Sequence, residues 1–241
     1  TTTEKYSLTL ADGLRIVLDH SGDSNHKEVG HDMGGKNPCV GLEDAEELES
    51  GDELVVEGAF WNMGEDCSAA SRLIVHRAVK DQLLELVVAE AASWRVGDPL
   101  DPEVRVGALV SASHFEKVQA YLESAREDRI LLGGDVVSAG FIEPTIVETT
   151  RDAKIAVEEI FGPIAPIASF KTEEEVIRLA NDTEFGLISY VYTGDLARGL
   201  RVSSKLESGM VGLNRGIVSD PAAPLGGTKP SGLGREGAHH G

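Results

Sequence analysis

Short apolar runs alternate along the chain with stretches that repeat apolar residues every three or four positions. The apolar runs have the length and residue types of buried strands, and they cover residues 37–42, 73–76, 130–132, 141–147, 164–170, 187–192 and 210–213. The helical spacing covers residues 53–63, 79–94, 114–126, 172–180 and 196–206. Strands that alternate with helices run parallel, because each crossover helix returns the chain to the same end of the sheet. We therefore expect an α/β fold with a largely parallel sheet flanked by helices.

The pattern differs near the amino terminus. Residues 5–20 alternate apolar and polar positions on either side of an Asp-Gly pair, which predicts a β-hairpin. Residues 21–36 are polar and rich in glycine, which predicts a loop. We predict a hairpin over residues 1–20, as a candidate oligomerisation element, followed by one domain over residues 21–241.

Composition narrows the classes of partner. The 241 residues include 22 Lys and Arg against 41 Asp and Glu, a formal net charge of -19. A nucleic-acid partner requires a basic surface, and anionic membranes attract basic segments, so we expect neither partner. Two cysteines, Cys39 and Cys67, form no disulfide framework and fit a reducing compartment. We see no signal peptide and no apolar run of about 20 residues, and we predict a cytoplasmic protein.

Two other chemistries can be considered from the residues alone. Residues 30–37 nearly spell a phosphate-binding Walker A loop, but Asn37 stands where a magnesium-binding Ser or Thr is required. His26, His31, His239 and His240 have no spacing that is typical of a metal site, so we predict no metal.

The most informative segment surrounds Cys67, within residues 60–71. A thiol is a nucleophile only as its thiolate. The small residues Ser68 and Ala69 leave room for a substrate and let backbone N–H groups approach a developing oxyanion, whereas Glu65 and Asp66 would raise the thiol pKa. The residues alone leave two alternatives open, a catalytic thiol and a buried inert one.

The whole segment resembles the nucleophile segment of the aldehyde dehydrogenases, in which an aromatic residue, an Asn, a Gly and a Gln or Glu precede the catalytic Cys. Residues 181–187, 208–214 and 224–232 resemble further family segments, and the resemblance extends from about residue 21 to residue 241. It implies that Cys67 attacks an aldehyde to give a thiohemiacetal, which NAD or NADP oxidises to a thioester.

The segment over residues 158–163 resembles the family's Glu-x-Phe-Gly-Pro motif. The resemblance implies that Glu159 accepts hydrogen bonds from the nicotinamide ribose and that Phe161 packs beside the nicotinamide. These residue types suit the roles, because a carboxylate can pair with hydroxyls and an aromatic ring can hold a planar ligand.

The general-base segment departs from the family pattern. Where the family has Glu-Leu-Gly-Gly-Lys, this chain has Asp32-Met33-Gly34-Gly35-Lys36, so the base is one methylene shorter. The position of a general base relative to its water is demanding, so we predict that Asp32 is a weakened base. His31 is an alternative base.

The residues around the implied substrate pocket give a mixed signal. The segment after Arg215 is most similar to succinate-semialdehyde dehydrogenases, yet members that grip a substrate carboxylate have an Arg directly before the motif residue Asn62. Here that residue is Trp61, so a bulky apolar or aromatic aldehyde is at least as plausible. Arg215 and Ser219 are candidate polar contacts.

The family's Rossmann-like cofactor domain, with its adenosine site, has no counterpart that we can find in this sequence, and the family's terminal strand is also absent from it. The chain therefore resembles a catalytic domain that is truncated and separated from its cofactor domain. It would work as a homo-oligomer or with a separate cofactor-domain partner. The alternatives are a thiol esterase, which requires only Cys67, and an assembly or binding module, which requires neither cofactor nor Cys67.

Overall fold

The computed structural model describes residues 31–45 and 48–238. The hairpin that we predicted within residues 1–20 lies outside the described residues. The strands are β1 His31–Asp32, β2 Pro38–Gly41, β3 Arg72–His76, β4 Arg95–Val96, β5 Val104–Val106, β6 Arg129–Leu132, β7 Val136–Ser138, β8 Phe141–Ile142, β9 Thr145–Glu148, β10 Ile164–Phe170, β11 Ile188–Tyr192, β12 Met210–Leu213 and β13 Gly232–Leu233. The α-helices are α1 Leu48–Phe60, α2 Lys80–Ser93, α3 Ala112–Ser124, α4 Lys154–Val157, α5 Glu173–Asn181 and α6 Leu196–Ser203.

A seven-stranded sheet forms the centre of the fold, with the strand order β12-β11-β2-β3-β10-β9-β6. Neighbouring strands are parallel throughout, except that the edge strand β6 runs antiparallel to β9. Three two-stranded sheets, β1–β13, β4–β5 and β7–β8, lie outside it. The predicted α/β fold with a largely parallel sheet is therefore confirmed.

Side chains of β3 alternate between two apolar layers, as the two-residue period of a strand requires. Leu73 and Val75 pack with α1 and α2, whereas Ile74 packs with α5 and α6 on the opposite face. A third cluster joins α3 to β9 and β10. Because both faces of the central strands are covered, they form short, continuous apolar runs in the sequence.

The differences from the predicted elements have local causes. Helix α1 begins at Leu48, five residues before the predicted start, and ends at Phe60, where a 3-10 turn over Trp61–Gly64 follows. The predicted strand at 141–147 is divided between two sheets at Pro144, which lacks a backbone donor and has a fixed φ. The hydroxyls of Ser111 and Thr172 cap α3 and α5, each by accepting a backbone N–H from the first turn of its helix.

The three segments singled out in the sequence all precede neighbouring parallel strands. Residues 32–37 lead into β2, Cys67 precedes β3, and Glu159 and Phe161 precede β10. The amino ends of parallel strands meet at one edge of a sheet, so the fold brings these segments together there. In the described part of the chain, no helix is long and apolar enough to cross a membrane.

An ion-pair network at the carboxyl edge gives a testable pH dependence. Hydrogen bonds from Arg201, and then from Arg198, hold the pKa of Glu173 at about 2, below its ordinary value near 4.5. A lowered carboxyl pKa stabilises the fold above the unfolded pKa, and this contribution is lost as pH falls from about 4.5 towards 2. We expect the urea midpoint of Glu173→Gln to fall less steeply than that of the unsubstituted protein across this window.

Glu174→Gln is the matched control, because Glu174 is exposed beside Glu173 and the substitution removes the same charge. We expect its profile to follow that of the unsubstituted protein. Parallel profiles for all three proteins would contradict the assignment to Glu173.

Candidate active site

The turn before Cys67 has an unusual backbone. Asn62, Met63 and Gly64 have φ values of 50°, 59° and 69°, in the left-handed region. The Asn62 side chain donates to the Glu65 carbonyl at 2.9 Å, and the Glu65 N–H donates to the Asn62 carbonyl at 2.9 Å. A Cβ at Gly64 would lie 2.5 Å from the carbonyl oxygen of Gly162, so only glycine permits this approach to the segment after Phe161.

Asp66 closes the turn that contains Cys67. Its Oδ1 accepts both the backbone N–H and the hydroxyl of Ser68 at 2.7 Å, and its carbonyl accepts the Ala69 N–H at 3.0 Å. The carboxylate is therefore bound to the turn that follows it. Cys67 is half-buried, between the exposed start of the 3-10 turn and the buried residues Ser68 and Ala69.

Two buried side chains hold the carbonyl groups of this turn. The amide of Asn37 donates to the Cys67 carbonyl at 2.7 Å and to the Ala69 carbonyl at 2.9 Å. The Tyr190 hydroxyl donates to the Ser68 carbonyl at 2.7 Å. Burial raises the pKa of Tyr190, so its hydroxyl remains a donor at neutral pH. Three consecutive carbonyl groups thus have fixed protein donors.

Asn37 also contacts two other segments. Its Oδ1 accepts the Ile188 N–H at 3.2 Å, and its own N–H donates to the Ser71 hydroxyl at 3.0 Å. The side-chain amide therefore uses its acceptor on β11 and both of its donors on the nucleophile turn. An amide that fills its hydrogen bonds in a buried site has one orientation.

The segment before β2 is held from two sides. Glu159 Oε1 accepts the Gly35 N–H at 2.9 Å, and the Ser231 hydroxyl donates to the Gly34 carbonyl at 2.7 Å. A Cβ at Gly34 would lie 2.2 Å from Glu159 Oε1, which explains a glycine at this position. The implied base segment and the implied cofactor segment are therefore in direct contact.

A small pocket joins the three segments. It is lined by Gly35, Ala59, Gly64, Asp66, Ala69, Ser71, Glu159, Ile160, Phe161, Gly162 and Ile164. Phe161 is half-buried and has a φ of 59°, so its backbone is in the left-handed region. Glu159 brings carboxylate acceptors and Phe161 an aromatic ring to this pocket, and their contacts with ribose and nicotinamide stay a prediction.

Two buried titratable groups flank the site. Burial, with the nearby Arg72, lowers the pKa of Lys36 to about 7, and Glu159 opposes this shift. Burial raises the pKa of the Cys39 thiol to about 12, so this cysteine is a packing residue in β2, as expected from its apolar surroundings. Among the described residues, no group of three His, Cys, Asp or Glu side chains could hold a metal ion.

The other predicted residues are placed less centrally. Trp61 is 51% exposed and Asn62 is exposed, both in the turn before Cys67. Arg215 and Ser219 are exposed on a segment that crosses α1, where the Gly216 carbonyl approaches Gly58. Their role in a substrate pocket stays a prediction.

The implied base also stays a prediction. The backbone of Asp32 pairs with Gly232 in the β1–β13 ladder. Its side chain lies outside the described part of the chain.

The sequence did not single out Asn37, Tyr190, Ser231 or His114 as site residues. Each of them binds a backbone carbonyl in a segment that is distant along the chain. The available signal was a polar residue beside or within an apolar strand run, as at Asn37 before β2 and Tyr190 in β11. A polar group in such a run must find a partner, but the sequence does not name the partner.

Comparisons with known proteins give the family of this chain. The model of the aldehyde dehydrogenase family matches residues 13–241. Aminoacetaldehyde dehydrogenase from Pseudomonas aeruginosa is 48% identical over 223 residues, which cover 91% of this chain and 45% of that protein. The NADP-dependent succinate-semialdehyde dehydrogenase GabD from Escherichia coli is 41% identical over 220 residues, covering 89% of this chain and 45% of that protein. The chain belongs to the aldehyde dehydrogenase family.

Solved structures give the same result. Aldehyde dehydrogenase KauB from P. aeruginosa has a TM-score of 0.90 at 38% identity, covering 95% of this chain and 48% of that one. An indole-3-acetaldehyde dehydrogenase from P. syringae, solved with NAD+, has a TM-score of 0.90 at 35% identity, with the same coverage of 95% and 48%. The chain spans about half the length of the curated relatives that it matches.

The Asn37 amide can be tested by one isosteric change. Asn37→Asp replaces the donor with an oxygen that faces the carbonyl groups of Cys67 and Ala69. Because two carbonyl groups lose their donor and an acid becomes buried, we expect the free energy of unfolding in urea to fall by roughly 3 kcal/mol or more.

Asn214→Asp is the matched control. The Asn214 side chain, like that of Asn37, binds backbone groups, in this case the N–H and the carbonyl of Thr193. Unlike Asn37, Asn214 is exposed, and it follows β12. We expect it to lose less than about 1 kcal/mol, since water can replace the lost bonds. Equal losses in the two variants would contradict a special role for Asn37.

Proposed function

We propose that this chain provides the catalytic half of an enzyme that oxidises an aldehyde to a carboxylic acid with NAD or NADP. The observation that carries the proposal is the convergence of the Cys67 turn, Glu159 and Phe161 on one pocket at the amino ends of β3 and β10. The family membership of the chain supports the same reaction. The cytoplasm is the proposed location, since the two cysteines fit a reducing compartment.

The proposed reaction begins at the sulfur of Cys67. The thiolate attacks the aldehyde carbonyl carbon, a C–S bond forms, and the carbonyl π electrons move to oxygen. The backbone N–H of Cys67 is the proposed donor to this oxyanion, and the bound carbonyl groups of the turn fix its direction. The small side chains of Ser68 and Ala69 leave space for the substrate.

Glu159 and Phe161 are the proposed contacts for the nicotinamide half of the cofactor. A carboxylate has about four acceptor positions, so Glu159 can bind ribose hydroxyls while one oxygen keeps its bond to Gly35. The oxidised nicotinamide, when bound, supplies the two-electron oxidation that converts the Cys67 adduct to a thioester. No described residue is proposed as a contact for the adenosine half of the cofactor.

The substrate class stays broad in this proposal. Relatives are named for aldehydes as different as aminoacetaldehyde, succinate semialdehyde and indole-3-acetaldehyde. The exposed indole of Trp61 beside the nucleophile turn favours a bulky apolar or aromatic aldehyde. Arg215 and Ser219 are the proposed polar contacts if the substrate is a semialdehyde.

Formation of reduced nicotinamide from an aldehyde tests the proposal. We expect turnover of succinic semialdehyde or indole-3-acetaldehyde with NAD+ or NADP+, and we expect Cys67→Ala to abolish it. Cys39→Ala is the matched control, since Cys39 is a buried packing thiol in β2 and its loss should leave turnover intact.

A second assay separates the alternatives. Hydrolysis of 4-nitrophenyl acetate that requires Cys67 but no nicotinamide, without aldehyde oxidation, would replace the dehydrogenase with a thiol esterase. Absence of both activities from the unsubstituted chain would contradict both enzymatic functions and favour an assembly module. Activity that persists in Cys67→Ala would contradict the role of Cys67.

The shortened base gives its own prediction. In this proposal thioester hydrolysis requires a water activated at Asp32, and a side chain that is one methylene shorter has less reach than the Glu of the family pattern. We expect Asp32→Glu to shorten the lifetime of the acetyl group that 4-nitrophenyl acetate leaves on Cys67 by about tenfold. Mass spectrometry of the quenched protein measures this lifetime without a cofactor.

His31→Gln distinguishes the alternative base. If His31 activates the water, its substitution will lengthen the acetyl lifetime and Asp32→Glu will have no effect. That pair of results would contradict the role of Asp32 as the general base.

A further inference from the structure

His114, in the first turn of α3, joins the nucleophile turn to the cofactor segment. Its Nε2 lies 2.6 Å from the carbonyl oxygen of Phe161 and 3.4 Å from Oε1 of Glu65. The two rings of His114 and Phe161 meet edge to face, with centroids 6.0 Å apart. Glu65 is two residues before Cys67, so this histidine connects both sides of the pocket.

The contacts determine which histidine nitrogen carries hydrogen. A carbonyl oxygen only accepts, so Nε2 must be the donor to Phe161. Nε2 also lies 3.4 Å from Oε1 of Glu65, and that oxygen accepts the Val110 N–H at 3.0 Å. The side chains are 13% exposed for His114 and 7% exposed for Glu65, so little water competes for these bonds.

Phe161 needs such a support. Its φ of 59° is disfavoured for any residue with a Cβ, so the surrounding structure must hold it. The next residue, Gly162, packs against α3 so closely that a Cβ would lie 2.8 Å from Val118. The backbone around Phe161 is thus held between α3 and the nucleophile turn, with the Phe161 carbonyl directed to His114.

We propose that the Glu65–His114 pair positions Phe161, and so fixes the ring that contacts nicotinamide relative to Cys67. Both are positioning residues, since they act through the Phe161 backbone and not on a substrate. The inference rests on the proposed role of Phe161 as a nicotinamide contact. It assigns a positioning function to Glu65 and His114, two residues that take no part in the proposed reaction steps.

The chain offers a matched control in His76. Its Nε2 also lies near a backbone carbonyl, that of Lys171 at 3.1 Å, and its ring also meets a phenylalanine, Phe170, edge to face at 5.2 Å. A carboxylate, Glu43, lies 3.9 Å from its Nδ1. Because His76 ends β3 at the opposite edge of the sheet, His76→Ala removes similar contacts away from the pocket.

Selective labelling isolates the Phe161 peptide. Only two Phe-Gly pairs occur in the sequence, Phe161-Gly162 and Phe185-Gly186. A chain with carbonyl-labelled Phe and nitrogen-labelled Gly therefore shows two amide signals in an NMR experiment that detects this peptide. The Gly162 signal reports the Phe161 carbonyl, and the Gly186 signal is an internal reference.

We expect His114→Ala to move or broaden the Gly162 signal and to leave that of Gly186 in place. His114→Gln keeps an N–H donor and should restore the Gly162 signal close to its original position. His76→Ala should move neither signal. An unchanged Gly162 signal in His114→Ala, or the same change in His114→Gln, would overturn the proposal.

Nicotinamide mononucleotide then tests the link to function, with the Gly162 signal as the readout. We expect nicotinamide mononucleotide to bind the unsubstituted chain and His114→Gln with similar affinity, and to bind His114→Ala about tenfold more weakly. In the His76→Ala control, hydrolysis of 4-nitrophenyl acetate at Cys67 should change by less than about twofold, since His76 lies at the opposite edge of the sheet. Equal binding by all variants, or no response of the unsubstituted chain, would overturn the positioning role.

These results are separable from those of the proposed function. Mononucleotide binding does not require the Cys67 thiol, whereas aldehyde oxidation does. A positive binding series without Cys67-dependent oxidation would retain the positioning role and reject the dehydrogenase.

Discussion

The side-chain amide of Asn37 is the interaction on which the candidate active site depends. It donates to the carbonyl groups on either side of Ser68 and accepts from the Ile188 N–H of β11. The nucleophile turn has no regular secondary structure, so its backbone groups must find partners among side chains once they are buried. The Asn37 amide, the Tyr190 hydroxyl and the Asp66 carboxylate supply those partners. We therefore expect the turn to be formed before a ligand binds.

Close backbone approaches extend this constraint to the rest of the site. Gly64 faces the Gly162 backbone carbonyl at a distance that leaves no room for a side chain. A side chain at Gly34 would displace the Glu159 carboxylate from its bond to Gly35. Buried charge is also held in place, since Arg72 donates to carbonyl groups before β2 and at the end of α5. The site is thus a set of loops fixed by the amino edge of a rigid sheet, an arrangement that keeps reacting groups in position before the substrate arrives.

The sequence predicted the sheet and its helices well because strands that are buried on both faces form short apolar runs. Leu73, Ile74 and Val75 are one such run, and the hydroxyl residues Ser111 and Thr172 stand directly before two helices. Local signals also indicated Cys67, Glu159 and Phe161 through their neighbours in the chain.

The supporting residues could not be predicted in the same way. Asn37 is 30 positions from Cys67, and Tyr190 is 122 positions from Ser68. Their partners are backbone carbonyl groups, which every residue has, so no side chain in the turn identifies them. The left-handed backbone of Phe161 could not be predicted either, because nothing in a Phe-Gly-Pro segment specifies the sign of φ at the phenylalanine.

Native-state hydrogen exchange tests the central claim, that the site is preformed and as stable as the sheet beneath it. The amides to follow are those of Gly35, Ser68 and Ile188, which donate to Glu159, Asp66 and Asn37. We expect their opening free energies to match that of Ile74 in the centre of β3, because they open only with the sheet. Exchange at Gly35 and Ser68 that is orders of magnitude faster than at Ile74 would contradict the claim.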